Sequence, residues 1–178
     1  MLRQILFAVL VLALGGTANA AAPKEQGGYL GVGFGGSELD DDGMFDGLDL
    51  DDDDVSWQIS GGFRFNNHVA VEGRFTNLGK TKADGDDIEA EATTFHVIGI
   101  IPLGGNGWEL FGQLGIGLVN VDFVEDEEDE TVNSYGLGVR YHLSEENALA
   151  VQFDRYEWDE DSFEPEVDTI QLLWTHTF

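Results

Sequence analysis

The sequence has 178 residues, with no cysteine, three prolines and only eight lysines and arginines. Without cysteine there is no disulfide framework, no Cys-ligated zinc and no thiol nucleophile. The 35 acidic residues give a formal net charge of −27, which argues against a nucleic-acid partner because phosphate backbones are bound through Lys and Arg. Disorder of the whole chain is not expected, since 42% of the residues are hydrophobic and 11% are aromatic.

The first 20 residues, MLRQILFAVLVLALGGTANA, have the pattern of a secretory signal peptide. Arg3 is followed by an apolar run from Ile5 to Leu14, and Ala18-Asn19-Ala20 is a small-x-small cleavage site. A membrane anchor needs about 20 apolar residues, and this run is much shorter. We therefore expect residues 1–20 to be cleaved within Ala20–Ala22 and residues 21–178 to form one domain. No later stretch is apolar enough for a transmembrane helix.

Beyond the leader, apolar residues alternate with small or polar ones, which is typical of strands. The pattern predicts eight strands, at residues 28–37, 55–65, 69–78, 92–103, 108–121, 132–143, 148–158 and 168–178. Tight turns alternate with longer connections at 38–54, 79–91, 122–131 and 157–168. These four connections contain 29 of the 35 acidic residues. An up-and-down sheet with an even number of strands brings all of them to one end, which should carry nearly all the negative charge.

The two faces of the predicted strands differ in composition. One face is large and apolar, as at Leu30, Trp57 and Phe95, and its only charged residue is Arg155. The other face consists mainly of Gly, Ser, Thr and Ala, with three basic and three acidic residues. Small residues suit the narrow interior of an eight-stranded barrel, whereas a solvent face is rich in long Lys and Glu. The sequence therefore predicts an all-β, eight-stranded antiparallel up-and-down transmembrane β-barrel whose apolar face meets lipid.

The same pattern predicts where the barrel lies and how it is oriented. A chain delivered from the periplasm of a Gram-negative cell has its N-terminus there, so the acidic loops should be extracellular and the tight turns periplasmic. Tyr156 and Trp158 are expected in an aromatic girdle at the outer interface of the outer membrane. The girdle at the inner interface is expected to comprise Phe63, Phe65, Trp108 and Tyr141.

Four stretches of the mature chain carry a family likeness: VEGRFTNLG (71–79), FGQLGIGL (111–118), YGLGVRYHLSEENALAVQFDRYEW (135–158) and the terminal strand ending in Phe178. Through them the chain resembles the OmpA/OmpX-like family of small eight-stranded outer-membrane β-barrels. The resemblance implies an ion network in the lumen, with Glu72 on the family's interior Glu and Gln113 at a position that is often basic. It also implies that the outer-membrane assembly machinery recognises the last strand through Trp174 and Phe178.

The ion network has two interpretations. It consists of Arg64, Glu72, Arg74, Glu109, Gln113, Arg140 and Asp154. It could line a narrow, gated ion path, or it could be a packed and neutralised polar core. We expect the packed core, because a buried charge must be paired.

The acidic connections suggest cation binding. Glu38, Asp40, Asp42 and Asp46 stand at alternating or near-alternating positions, and Asp49 follows, partly as in a calcium loop. The motif departs by having Glu first, Asp49 where a bidentate Glu is expected, and no flanking helices. The alternative is a set of solvated, self-repelling loops. We expect diffuse association with calcium or magnesium, and no required cofactor.

Two further features have weaker functional interpretations. Arg155 could contact a lipid-A phosphate, extend along the surface to the membrane interface, or be turned inward by a bulge. His142, Ser144 and Glu145 superficially suggest a catalytic set. However, His142 is predicted to face the lumen near a periplasmic turn, away from outer-leaflet lipid, so we do not predict an enzyme.

The sequence thus predicts a monomeric outer-membrane barrel with a structural and surface-interaction role. It is surrounded by lipid and lipopolysaccharide, and it presents four acidic extracellular loops to divalent cations or cationic partners. The alternatives are a narrow gated pore and, less in keeping with the pattern, a lipid-A-modifying enzyme.

Overall fold

The computed structural model of the chain describes residues 23–39, 55–83, 86–105, 107–123, 126–158 and 166–178. These residues form eight strands: β1 (Gly27–Leu39), β2 (Val55–Arg64), β3 (Val69–Ala83), β4 (Asp86–Leu103), β5 (Trp108–Phe123), β6 (Asp126–His142), β7 (Asn147–Trp158) and β8 (Glu166–Thr177). No helix in these ranges is long and apolar enough to cross a membrane. The predicted signal peptide, residues 1–20, lies outside the described residues.

The strands form a closed antiparallel barrel in chain order. Each strand pairs with the next, and β1 pairs with β8 from Tyr29↔Thr177 to Leu39↔Val167. The backbone N–H of Phe178 donates to the carbonyl of Gly28 at 2.9 Å and extends this seam. Closure gives the first and last strands hydrogen-bonding partners on both sides, and it confirms the up-and-down barrel predicted from the alternating pattern.

The two faces of the wall also confirm the prediction. Large apolar side chains point outward and are exposed, up to 71% for Leu114 and 65% for Phe34. Polar side chains such as Gln58, Glu72 and Gln171 are buried inside. Soluble monomers rarely expose a continuous apolar surface of this kind, whereas lipid covers it without cost.

Two of the predicted long connections are mostly strand. β3 ends only at Ala83 and β4 already begins at Asp86, so the loop expected at 79–91 is wrong over most of its length. Likewise β5 ends at Phe123 and β6 begins at Asp126, so strand occupies most of the loop expected at 122–131. The prediction took clusters of charged residues as the mark of a loop, whereas the backbone ladders continue through them.

The aromatic girdle predicted at the long-loop end is wrong for Tyr156 and Trp158. Tyr156 is 0% exposed and Trp158 is also buried, because both continue the inward parity of Asp154 on β7. The prediction used their position along the strand and neglected the face on which they lie. At the opposite end Trp108 and Tyr141 do pack together on the outer face, with ring centroids 4.7 Å apart.

Close approach between neighbouring strands requires glycine at Gly117 on β5. A Cβ there would lie 1.9 Å from the backbone carbonyl oxygen of Thr93 on β4. Gly112 lies on the outer face of the same strand. A Cβ added there would be 3.8 Å from its nearest neighbour, the backbone carbonyl oxygen of Gly136. The inner wall at Gly117 therefore has no room for even a methyl group.

We expect Gly117→Ala to destabilise the folded barrel by about 1–3 kcal/mol, the usual cost of overpacking. Gly112→Ala is the matched control and should stay close to wild type. Urea unfolding of the purified protein in lipid vesicles measures both changes. Equal stabilities for the two variants would contradict the packing of β5 against β4.

Candidate functional site

The lumen is layered along the barrel axis. Along β5, inward residues run from Glu109 near a tight turn, through Phe111 and Gln113, to Val119 near the long-loop end. β3, β4, β7 and β8 repeat this order, whereas the inward residues of β2 are polar or glycine along its whole length. We call the layers the mouth, the lower apolar layer, the central polar layer and the upper apolar layer. The mouth lies at the short-turn end, where β2–β3, β4–β5 and β6–β7 are joined.

The central polar layer is organised by Arg74. Its guanidinium donates to the Glu72 carboxylate at 2.6 Å and to Asp154 at 3.0 Å. It also donates to the side-chain oxygen of Gln113 at 2.9 Å. The amides of Gln113 and Gln152 in turn donate to Asp154. Every charged group in this layer is thus paired and hydrogen-bonded in a fully buried site.

The mouth is organised by Glu109. Arg64 donates to both of its carboxylate oxygens, at 2.7 and 3.2 Å, and also to the turn carbonyls of Asn66 and Asn67. The Nε2 atom of His142 lies 3.0 Å from Glu109, and a guanidinium nitrogen of Arg140 lies 3.6 Å from it. One carboxylate therefore faces two guanidinium groups and an imidazole.

The seven lumen residues named from the sequence thus fall into two groups. Glu72, Arg74, Gln113 and Asp154 meet in the central polar layer, and Arg64, Glu109 and Arg140 meet at the mouth. Gln113, which stands where the resemblance implies a basic residue, accepts from Arg74 and donates to Asp154.

Sequence reasoning did not predict the two apolar layers. The lower apolar layer contains Tyr29, Ala70, Ile98, Ile100, Phe111, Ala150 and Leu173. The upper apolar layer contains Leu78, Ala92, Val119, Val132, Tyr156, Trp158 and Val167. The alternation along each strand could have predicted these layers. Ala70 and Leu78, for example, are an even number of positions from Glu72 on β3 and therefore face inward. The apolar layers lie on either side of the central polar layer on most strands, but not on β2.

Arg155 lies on the outer face near the long-loop end, as its parity indicates. Its guanidinium donates to both carboxylate oxygens of Asp168 at 2.7 Å and pairs with Glu166 at 2.7 Å. Its side chain is therefore held by two carboxylates of the protein on the surface where a lipid-A phosphate contact was one of the interpretations.

The other candidate residues are not brought together. Glu38 lies in β1, while Asp40, Asp42, Asp46 and Asp49 lie outside the described residues. In the part of the chain that the structure describes, no three His, Asp or Glu side chains are grouped to hold a metal ion. Ser144 accepts hydrogen bonds from the backbone of its own turn, while His142 faces Glu109.

The last strand carries an outward row of aromatic rings. Trp174 and His176 have centroids 6.1 Å apart, and those of His176 and Phe178 are 5.0 Å apart. The Nδ1 atom of His176 lies 3.1 Å from the side-chain oxygen of Asn147 on β7. Trp174 and Phe178, the predicted assembly signal, are thus both accessible on the outer face.

Residues 7–178 match the family described as the outer membrane protein beta-barrel domain. The chain belongs to this family. It is therefore a Gram-negative outer-membrane barrel, and its apolar outer face lies in the lipid of that membrane. No curated protein sequence matches the chain.

Solved structures of other outer-membrane barrels share the fold. The Neisserial surface protein A is 14% identical with a TM-score of 0.65, and the match covers 87% of this chain and 99% of that one. Ail of Yersinia pestis is 19% identical with a TM-score of 0.56, covering 87% and 100%. The N-terminal barrel domain of Pseudomonas aeruginosa OprF is 13% identical with a TM-score of 0.57, covering 85% and 99%.

We expect Arg74→Met to destabilise the outer-membrane barrel by about 3–5 kcal/mol, since it leaves two buried carboxylates uncompensated. Glu72→Gln should cost much less, because Arg74 still pairs with Asp154. Denaturant unfolding in vesicles, followed by tryptophan fluorescence, measures both variants. If the two substitutions cost the same, Arg74 does not neutralise the central polar layer.

Proposed function

We propose that this outer-membrane barrel is a structural scaffold that holds acidic loops at the cell surface. There the loops associate with divalent cations or cationic partners. The observation that carries the proposal is the packing of the lumen, in which paired ions lie between two clusters of apolar side chains. Such packing favours a scaffold over a pore, and a scaffold acts at the two ends of the barrel.

The distribution of charge supports an anionic surface at the long-loop end. The four segments that were predicted as connections contain 29 of the 35 acidic residues, and all of them belong to that end of the barrel. Carboxylates at this density attract cations and repel one another. A rigid barrel fixes the positions at which such segments leave the membrane, which is how loops on a rigid scaffold acquire function.

The proposal includes an orientation. The acidic end faces outward among lipopolysaccharide, and the mouth faces the periplasm together with the N-terminus. The protein acts as a monomer, and its assembly uses Trp174 and Phe178 on the last strand. Ail has been crystallised with the heparin analogue sucrose octasulfate, which is a polyanion. The acidic excess of this chain favours cations instead.

Calcium titration by calorimetry tests the association with cations. We expect heat at low ionic strength that declines as sodium chloride is added, because diffuse attraction is screened over about 10 Å at ~0.1 M salt. Replacing the acids of residues 125–130 by Asn and Gln should lower this heat. Glu145→Gln with Glu146→Gln, at the opposite end, is the matched control and should leave it unchanged.

Two results of that titration are informative in different ways. A complete lack of calcium-dependent heat at low salt would refute the association. A saturable heat that persists at high salt would replace diffuse association by a specific site in the loops.

The pore alternative rests on the ions of the central polar layer. We expect no steady conductance in planar bilayers, because the charged groups of the central polar layer are paired with one another and apolar side chains flank them on most strands. Steady openings that Glu72→Gln abolishes would refute the filled lumen and establish conduction through the ion network. The same preparation without protein, and the Glu72→Gln variant alone, serve as controls.

A further inference from the structure

Arg140 is the charged lumen residue whose bonding is least complete. It is on β6, and Glu109 and Ala150 are its neighbours in register. Its Nε atom is buried and has no hydrogen-bond partner among the described residues. Its closest carboxylate contact, 3.6 Å from Glu109, is longer than a hydrogen bond. A guanidinium has five N–H donors, so this group is under-supplied with acceptors.

The contrast with the other lumen arginines is sharp. Arg74 donates to three side chains, and Arg64 donates to Glu109 and to two turn carbonyls. Buried charged groups are normally paired and hydrogen-bonded, and an unsatisfied one is costly. Arg140 therefore has donors that are free to bind an acceptor from outside the protein.

The local charge specifies the kind of acceptor. Arg64 and Arg140 face the single carboxylate of Glu109, so at the mouth two guanidinium groups share one carboxylate. The rim beyond carries Lys24, Glu25, Glu145 and Glu146, of which Lys24 pairs with Glu146 at 3.3 Å. These rim groups are more exposed and therefore more strongly screened than the buried guanidinium groups.

Access and orientation also suit a ligand. The side chain of Arg140 is 11% exposed, against 1% for Arg74, so it can be reached from the short-turn end. Its guanidinium lies over the ring of Phe111, 4.8 Å from the centroid, a contact that favours one position of the group. A planar guanidinium held in this way matches the paired oxygens of a phosphate group.

We propose that the mouth of the lumen is an oxyanion site, in which Arg140 binds a phosphate group and Arg64 adds charge from behind. The phosphate group could belong to inorganic phosphate or to the headgroup of a phospholipid in the adjacent leaflet. The two sources share the same chemistry at Arg140. The proposal does not depend on cation binding by the loops, which lie at the other end.

The test uses the mature chain folded in octyl glucoside micelles, which contain no phosphate. The 15N–1H signal of the Arg140 Nε group is followed at physiological salt. One arm adds inorganic phosphate, and the other adds dihexanoyl phosphatidylglycerol. We expect a saturable shift of the Arg140 signal in at least one arm, while the Arg74 and Arg155 signals remain in place because their acceptors are already supplied.

Variants supply the second readout. Binding by the variants is followed through the Arg64 Nε–H signal, which remains when Arg140 is replaced, and Arg140→Gln should weaken it about tenfold or more, equivalent to about 1.4 kcal/mol. Arg140→Lys, which keeps the charge but loses the fork, should weaken it less. Arg155→Gln is the matched control at the far end and should bind as wild type does.

Each outcome decides the proposal. A shift with inorganic phosphate identifies a free-anion site, and a shift with the phospholipid alone identifies a headgroup site. The proposal is overturned if neither arm gives a saturable shift, because water then supplies the missing acceptors. It is also overturned if Arg140→Gln binds with unchanged affinity. If that variant does not fold, the wild-type titration decides alone.

Discussion

The constraint on which the rest of the structure depends is the need to satisfy backbone hydrogen bonds inside lipid. Hydrocarbon offers no acceptor or donor, so a β-structure that spans it must have no free edge. Here β1 meets β8 over a long ladder, and the N–H of Phe178 continues the seam to Gly28. Closing only eight strands makes the interior narrow, which explains why the inner wall is rich in residues as small as Gly117.

A narrow interior in turn determines how ions can exist there. With little room for water, each charge needs a protein partner within hydrogen-bond distance, and Arg74 meets this need for Glu72 and Asp154 together. The apolar layers on both sides shield this group from either end. Polar and apolar layers thus stabilise each other: apolar neighbours lower the local dielectric and strengthen the ion pairs, and the pairing removes the cost of burying charge beside apolar side chains.

The sequence was sufficient for those features that depend on one strand at a time. Alternation along each strand correctly assigned Glu72, Arg74 and Asp154 to the inner face and Leu114 to the outer face. It could not say which inward residues meet, because Arg74 and Asp154 lie on strands β3 and β7 and their contact depends on the stagger of the closed barrel. Tyr156 was predicted wrongly for a different reason. Its position near the strand end suggested an aromatic girdle, although the alternation along β7 places it on the inner face, where it is buried.

The two ends of the barrel are therefore chemically opposite. One end has a dense set of carboxylates, and its only described outward arginine, Arg155, is already held by Asp168 and Glu166. The other has two guanidinium groups, those of Arg64 and Arg140, beside the single carboxylate of Glu109. Paired ions and clusters of apolar side chains lie between these two sets of charges. The proposals for the two ends are therefore independent: the loops are proposed to meet mobile cations, and Arg140, which stacks on Phe111, is proposed to meet a phosphate group.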